Sequence, residues 1–203
     1  MHAGFQYVDA VADVLGRLAA PLGVYAVLGN HDHAIRIFQG GRMHRRLADA
    51  VRGALQRRGV TVLTNEHRVL EHNGAAVAVA GVEDLWSREA DLPAALRGIP
   101  DGIPRVVLAH NPATIAQAEG LRCDLMLSGH THGGQIRIPS LPPGAGGPQA
   151  ARFAAGLYLH DSGYLYVNRG IGYTFRFRYK VRPEIALFEL RRKPSRSGDP
   201  PSP

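Results

Sequence analysis

The chain has 203 residues, 45% of them hydrophobic, which fits one domain with a substantial core and requires no second domain. Its single cysteine, Cys123, excludes an intrachain disulfide. Lysine and arginine number 24 against 17 acidic residues, an excess that favours phosphate-bearing partners or reflects the nucleotide composition of the source genome. No run approaches the ~18 apolar residues of a membrane span and residues 1–20 lack an export signal, so the chain as it stands is predicted to be soluble and cytoplasmic.

The first half of the chain alternates predicted helices and strands. In chain order, apolar spacing and short apolar runs predict a helix over residues 8–19, a strand over 24–28, a helix over 43–58 and a strand over 60–63. A hairpin follows, because the Asn73-Gly74 pair suits a tight turn between strands over 68–71 and 76–80. The arginines of the second helix are interpreted as a solvated face.

The second half is predicted to be mostly β structure. Its predicted elements are strands over 105–109, 125–128, 165–167 and 185–190, a helix over 113–119 and a Gly/Pro-rich loop over 139–148. Together the two halves predict an α/β fold, a layered α/β/β/α sandwich of two packed mixed sheets. This domain is expected to cover residues 1–190, followed by a disordered basic and proline-rich tail over 191–203.

Three loop motifs, each following an apolar run, carry the candidate functional residues. They are residues 29–32 (Gly-Asn-His-Asp), 110–112 (His-Asn-Pro) and 129–135 (Gly-His-Thr-His-Gly-Gly-Gln). An extended backbone would point the rings of His130 and His132 to the same side, where they can hold one metal ion or two adjacent ions. The small residues around the histidines let the backbone approach a ligand closely.

The first motif adds a different kind of ligand and a candidate acid. The side-chain oxygen of Asn30 is a suitable metal ligand among imidazoles, and the His31-Asp32 pair resembles an oriented general acid. Asp32 is expected to hold the His31 ring or to raise its basicity. A simple turn after a strand would explain Gly29 and Asn30, but it would not explain their combination with His110 and the third motif.

These motifs, in this order, resemble the calcineurin-like metallophosphoesterase superfamily. The longer segments 25–32, 110–112, 129–135, 166–172 and 182–185 resemble its bacterial YkuE/YaeI-like phosphodiesterase branch. The resemblance covers roughly residues 18–190.

The resemblance implies a binuclear metal site. It implies that Asn30, His110 and His130 bind one divalent ion and that His132 binds the other, with Mn, Fe or Zn favoured by the mixed nitrogen and oxygen ligands. His31, beside Asp32, would protonate the leaving oxygen or stabilise the transition state. Two such ions, about 3.5–4 Å apart, activate a bridging water and neutralise charge on the phosphoryl group.

Two motifs of that superfamily, an Asp-x-His and a Gly-Asp that supply carboxylates, are absent upstream of Gly29. Asp9 and Asp13 lie on a predicted helix and are not assigned to the site, and the only Gly-Asp is Gly198-Asp199 in the tail. Four neutral ligands hold a second ion weakly, so partial metal binding is expected. We expect that Met1 is an internal methionine and that the domain is truncated at its N-terminus; a true start at Met1 would imply a degenerate protein.

The leading functional hypothesis is a metal-dependent hydrolase of phosphate esters. The favoured form is a phosphodiesterase with a binuclear metal centre, of which this chain carries only a part. The alternatives are a catalytically degenerate phosphate or nucleotide binder and a basic nucleic-acid-binding protein; no specific nucleic acid is expected as a partner. Alternation of Phe175, Phe177 and Tyr179 with basic residues is read more simply as a strand with one apolar face. Membrane or cell-envelope association is expected only for a longer form.

Overall fold

The computed structural model describes residues 4–35, 45–137, 152–173 and 176–191. The predicted Gly/Pro-rich loop over 139–148 lies outside these ranges. The predicted tail also lies outside them, except for Arg191.

Through residue 128 the described helices and strands follow the predicted order, except that the short helix over Leu92–Leu96 was not predicted. The α-helices are α1 (Val8–Leu15), α2 (Arg45–Gln56) and α3 (Leu92–Leu96). The strands are β1 (Val24–Ala26), β2 (Val60–Val62), β3 (Glu66–His72), β4 (Ala75–Gly81), β5 (Arg105–Leu108), β6 (Leu125–Ser128), β7 (Gly156–His160) and β8 (Gly163–Val167). Short 3₁₀ helices cover Phe5–Tyr7, Leu85–Ser87, Pro112–Ala118 and His132–Gly134.

A small sheet and two helices form one half of the core. Strands β1 and β2 pair in parallel, with Val24 opposite Val60. Helices α1 and α2 pack on this pair and bury Ala12, Ala54 and Leu55 against the strands. The parallel arrangement brings the C-terminal ends of both strands to one edge, and the first motif leaves β1 there.

A larger mixed sheet forms the other half, in the strand order β3-β4-β5-β6-β8-β7. Strands β4, β5, β6 and β8 are parallel, whereas β3 and β7 are antiparallel to their neighbours at the two edges. Helix α3 and the 3₁₀ helix Pro112–Ala118 cover one face, where Leu92, Ile115 and Val107 are buried. Parallel strands end at the same edge, so β5 and β6 deliver His110 and His130 side by side.

The two sheets meet at Gly81, on the face of β4 opposite α3. A Cβ atom added to Gly81 would lie 2.2 Å from the Leu63 Cβ and 2.9 Å from the Val27 Cγ1, both of which follow strands of the small sheet. The order of layers is therefore helices, small sheet, large sheet and helices. The predicted layered α/β fold with two sheets is confirmed.

The contact at Gly81 predicts a stability effect. Gly81→Ala should lower the free energy of unfolding by about 1–3 kcal/mol, because the added methyl group overpacks the contact between the sheets. Gly102→Ala is the matched control, since a Cβ there meets nothing within 4 Å. Urea denaturation of both variants and the parent chain measures the effect; equal midpoints would show that the sheets do not pack this closely.

Several element predictions were wrong. Residues 185–190 form no strand, although their apolar run predicted one, because no described neighbour hydrogen-bonds to them as a strand. Leu187 is consequently 97% exposed. The predicted helix over 113–119 is a 3₁₀ helix over Pro112–Ala118, in which the Asn111 side chain accepts from the Ala113 N–H at 3.0 Å. Strand β7 was not predicted at all.

The expected strand around residues 175–180 is also absent from the described residues. Tyr179 there makes one isolated parallel bridge with Ile136 and belongs to no sheet. Phe175 lies outside the described ranges. The described part of this alternation, residues 176–180, thus forms no strand.

Candidate metal centre

Three loops converge at the C-terminal edge of the strands. Gly29 follows β1 closely, and a Cβ atom added to it would lie 2.7 Å from two ring atoms of His110, so only glycine permits this approach. The Gly129 N–H donates to the His110 carbonyl oxygen at 3.0 Å and joins the loops after β5 and β6. The sequence motifs of these loops are therefore neighbours in space.

Asn30, His110 and His130 direct one side-chain atom each at a common point. The Oδ1 of Asn30 lies 3.0 Å from Nε2 of His110 and 3.2 Å from Nδ1 of His130, and the two imidazole nitrogens are 3.2 Å apart. The Asn30 amide is oriented by its Nδ2, which donates to the Ile35 carbonyl oxygen at 2.7 Å. These three atoms thus form a nearly equilateral triangle, and we refer to Asn30, His110 and His130 as the triangle.

The triangle has the dimensions of three ligands on one ion. An ion about 2.1 Å from each ligand atom separates neighbouring ligands by about 3.0 Å in octahedral and about 3.4 Å in tetrahedral geometry. One amide oxygen and two imidazole nitrogens suit a borderline transition-metal ion. Among the described residues, however, no group of three or more His, Cys, Asp or Glu side chains is arranged to hold a metal.

His132 stands beside the triangle but does not join it. Its Nδ1 lies 3.2 Å from Oε1 of Gln135. The expected extended His-x-His backbone is wrong, because His130 and His132 both adopt left-handed conformations with φ of 67° and 53°. Such conformations are rare for residues other than glycine and recur at functional sites.

The structure brings His31 near the triangle and gives Asp32 a different contact. His31 is close enough for its charge to lower the pKa values of His110 and His130. The Asp32 Oδ2 accepts from the Gly29 N–H at 2.8 Å, which closes the turn that carries Asn30. Burial raises the pKa of the Asp32 carboxyl group, and the Gly29 hydrogen bond opposes that change.

Burial keeps the two imidazoles of the triangle neutral. It lowers the pKa of His110 to about 3 and that of His130 to about 4, with further lowering by the neighbouring histidines. Burial also lowers the pKa of His132. A neutral imidazole has a free lone pair, which is the form that binds a metal ion.

The sequence motifs missed a segment that adjoins the triangle, residues 83–86, in which Glu83 and Asp84 are buried. Glu83 bonds to His33, and Asp84 accepts from the Trp86 N–H at 2.9 Å. Trp86 packs edge-on against His130, with ring centroids 4.6 Å apart. The available signal was the Glu83-Asp84 pair directly after an apolar strand, a position typical of site residues in α/β folds.

Asp84 predicts a pH-dependent stability. Burial raises its pKa from 3.8 to about 6, so the folded chain binds more protons than the unfolded chain between these pH values. This contribution to the free energy of unfolding is present below pH 3.8 and is lost as the pH rises through 6. Asp84→Asn removes it.

Relative to the parent chain, Asp84→Asn should therefore gain about 1–2 kcal/mol of stability between pH 5 and pH 7.5. Urea denaturation of both chains at the two pH values measures this change. Asp161→Asn, a substitution of an exposed aspartate in the turn between β7 and β8, is the control. A difference between Asp84→Asn and the parent that does not change with pH would contradict the raised pKa.

Arg58, from the predicted second helix, and Arg178, from the aromatic and basic segment, make contacts within the chain. Arg58 pairs with Asp13 at 2.5 Å and with Asp9 at 3.3 Å, which joins the turn after α2 to α1. Arg178 donates to the carbonyl oxygens of Arg169 at 2.9 Å and of Gly170 at 3.2 Å. These contacts give the two guanidinium groups structural roles.

No helix among the described residues combines the length and apolar character that crossing a membrane requires.

Similarity to known proteins agrees with this geometry. The chain is 33% identical to phosphodiesterase YaeI of Escherichia coli strain K12 over 182 residues, which cover 90% of the chain and 63% of YaeI. It is 32% identical to the uncharacterized metallophosphoesterase YkuE of Bacillus subtilis strain 168 over 189 residues, covering 92% of the chain and 63% of YkuE. The chain thus spans less than two thirds of either relative.

A third relative has a more specific name. The UDP-2,3-diacylglucosamine pyrophosphatase LpxG of Chlamydia trachomatis serovar D is 28% identical over 219 residues, covering 87% of the chain and 67% of LpxG. No solved structure matches the chain. Residues 3–134, which include the whole triangle, match the family of calcineurin-like phosphoesterases. The chain belongs to the calcineurin-like phosphoesterase family.

Proposed function

We propose that this chain carries the histidine-rich part of a metal-dependent phosphodiesterase. The observation that supports it is the triangle of Asn30, His110 and His130, whose three ligand atoms lie 3.0–3.2 Å apart at the ends of three strands. Family membership and the similarity to phosphodiesterase YaeI favour the same reaction class. Phosphate esters are the corresponding substrate class.

In this proposal each residue has a separate role. Asn30, His110 and His130 would hold one divalent ion, and His132, turned away from Gln135, would hold a second ion. Bound there, the ions would supply Lewis acidity toward the phosphoryl oxygens and lower the pKa of an attacking water. His31 lies beside the triangle and donates a proton to the leaving oxygen, while Asp32 keeps the turn closed through Gly29.

Manganese, iron and zinc are the proposed metals. The amide oxygen of Asn30 and the imidazole nitrogens form a mixed set of ligands that calcium disfavours. The binding of the second ion depends on carboxylates, because neutral ligands leave the charge of two adjacent cations uncompensated. The 203-residue chain should accordingly bind a first ion more tightly than a second ion.

Substrate and location are proposed at a coarser level. By its name, LpxG cleaves the pyrophosphate of a diacylated sugar nucleotide, which is a phosphate linkage near lipid chains. We propose a phosphodiester or pyrophosphate linkage as the substrate here, with membrane or envelope association in a longer form.

Hydrolysis of bis(4-nitrophenyl) phosphate tests the proposed reaction. Release of 4-nitrophenolate should require added Mn²⁺ and should stop when a chelator removes it. Turnover that persists without metal would contradict the proposal. Saturable binding of inorganic phosphate with no turnover, even after the carboxylate motifs are supplied, would favour the degenerate binder instead.

A further inference from the structure

A buried ionic cluster lies beside the triangle and bridges the two sheets. Oε1 of Glu83, at the end of β4, lies 2.9 Å from Nε2 of His33, and these residues are 3% and 2% exposed. The Oε2 atom of Glu83 accepts from Nη2 of Arg52 on α2 at 3.0 Å. The Asp84 N–H donates to Oε1 at 3.0 Å. The carboxylate therefore has three donors from three parts of the chain.

Such a cluster fixes geometry. A buried carboxylate costs several kcal/mol unless its oxygens are fully bonded, so the arrangement of Glu83, His33 and Arg52 tolerates little displacement. The charges of the partners act on each other: the pKa of His33 is raised by Glu83 although burial lowers it, and the pKa of Glu83 is lowered by His33 although burial raises it. Each partner therefore favours the charged form of the other, against the effect of burial.

His33 belongs to the turn that carries Asn30. In this turn the Asp32 N–H donates to the Gly29 carbonyl oxygen at 2.9 Å, and the Ile35 N–H donates to the Asn30 carbonyl oxygen at 2.7 Å. A turn with these internal bonds moves as a unit. The bond from His33 to Glu83 consequently ties the ligand oxygen of Asn30, which follows the small sheet, to the large sheet.

Trp86, three residues after Glu83, contacts the triangle at His130. Its ring lies edge-on to His130, with an interplanar angle of 82°. The backbone of Trp86 is fixed by a hydrogen bond, which its backbone N–H donates to Oδ2 of Asp84 at 2.9 Å. An edge-to-face pair at this distance contributes about 0.5–1.5 kcal/mol and favours one rotamer of the imidazole.

We propose that Glu83 and Trp86 are positioning residues of the candidate metal centre, Glu83 acting through His33 on Asn30 and Trp86 acting directly on His130. That Asn30 and His130 bind a metal ion rests on the proposed function, whereas the orientation of their side chains by Glu83 and Trp86 is a property of the metal-free chain. Residues 83–86 thus orient two of the three ligands from one short segment. Groups that orient metal ligands typically change metal affinity 10–100-fold when removed.

Tryptophan fluorescence gives a direct measurement, because Trp86 is the only tryptophan of the chain. Titration with Co²⁺ alone should quench it and yield a dissociation constant. Glu83→Ala and His33→Ala should each weaken Co²⁺ binding about 10–100-fold. The double variant should be no weaker than either single variant, since both remove the same connection. Glu71→Ala, which changes an exposed glutamate on β3, should leave the constant unchanged.

Conservative variants separate positioning from folding. Glu83→Gln keeps an acceptor for His33 and should retain Co²⁺ affinity within about threefold, although it loses the charge opposite Arg52. Trp86→Phe keeps an aromatic edge against His130, whereas Trp86→Leu does not; calorimetric titration with Co²⁺ should show weaker binding only for the leucine variant. The Trp86 pair tests the proposal even where Glu83→Ala does not fold.

The imidazole resonances of His110 and His130 in the metal-free chain decide between the outcomes. They should shift in Glu83→Ala and Trp86→Leu but not in Glu71→Ala. If both variants lose stability yet keep the parent resonances and Co²⁺ affinity, the segment is merely structural and the positioning proposal is wrong. If the parent chain binds no Co²⁺ but the resonances shift as expected, positioning stands and the metal role under the proposed function fails.

Discussion

Supplying an Asp-x-His and a Gly-Asp motif in a segment ahead of Met1 should raise hydrolysis of bis(4-nitrophenyl) phosphate with Mn²⁺ at least about 10³-fold over the 203-residue chain. The reason is electrostatic. The candidate ligands Asn30, His110, His130 and His132 are all neutral, because burial lowers the pKa values of the imidazoles. A shared carboxylate offsets the repulsion between two cations, and a thousandfold change corresponds to about 4 kcal/mol.

The matched control keeps the added segment but replaces its acidic ligands by asparagine. This form should fold like the acidic one and bind at most one Mn²⁺ per chain, with activity near that of the short chain. Equal turnover with and without the carboxylates would show that the second ion needs no negative ligand. Metal content, measured after dialysis, should rise from about one to about two ions only with the acidic segment.

The edge of the large sheet shows why much of the site was predictable from the sequence. The apolar runs before His110 and His130 are short buried strands, and a parallel pair must end at one edge. Local pattern and long-range arrangement agree there, so two separate motifs could be placed together. The same reasoning placed Asn30 at the end of β1.

Where pattern and packing disagree, the sequence misled. Residues 185–190 form an apolar run of strand length, but a strand also needs a hydrogen-bonded neighbour, and none of the described residues provides one. Strand β7 is the opposite case, because it pairs in the sheet although the sequence did not predict a strand there. Leu157 and Leu159 are exposed while Tyr158 packs partly buried against the core, so the place of β7 at the sheet edge comes from backbone pairing with β8 together with the Tyr158 contact.

Side-chain partnerships across the core were beyond the sequence for a different reason. His33 and Glu83 are 50 positions apart, and no local pattern indicates that they bond. The orientation of His132 was equally hidden, since it depends on the left-handed backbone at His130 and His132. Motif spacing identifies the candidate ligands, whereas the conformation of each loop decides which of them meet.

His31 and His130 should respond differently to removal, which separates proton donation from metal binding. In the form that carries the carboxylate motifs, His130→Ala should lose metal and activity together, because it deletes one corner of the triangle. On a phosphodiester whose leaving group is a weakly acidic alcohol, His31→Ala should keep the metal and reduce kcat about 10²–10⁴-fold, the usual contribution of a general acid. Metal analysis and steady-state kinetics on the same preparations measure both effects.

Asp32→Asn is the graded comparison, because Asp32 contacts the Gly29 N–H and an asparagine Oδ1 can still accept that hydrogen bond. Its effect on kcat should therefore be smaller than that of His31→Ala. A larger effect would give Asp32 a direct part in the reaction, and equal metal content in the two histidine variants would contradict the division of roles. Because only the proton donor is bypassed by a substrate with an acidic leaving group, His31→Ala should recover activity as the leaving-group pKa falls, whereas His130→Ala should not.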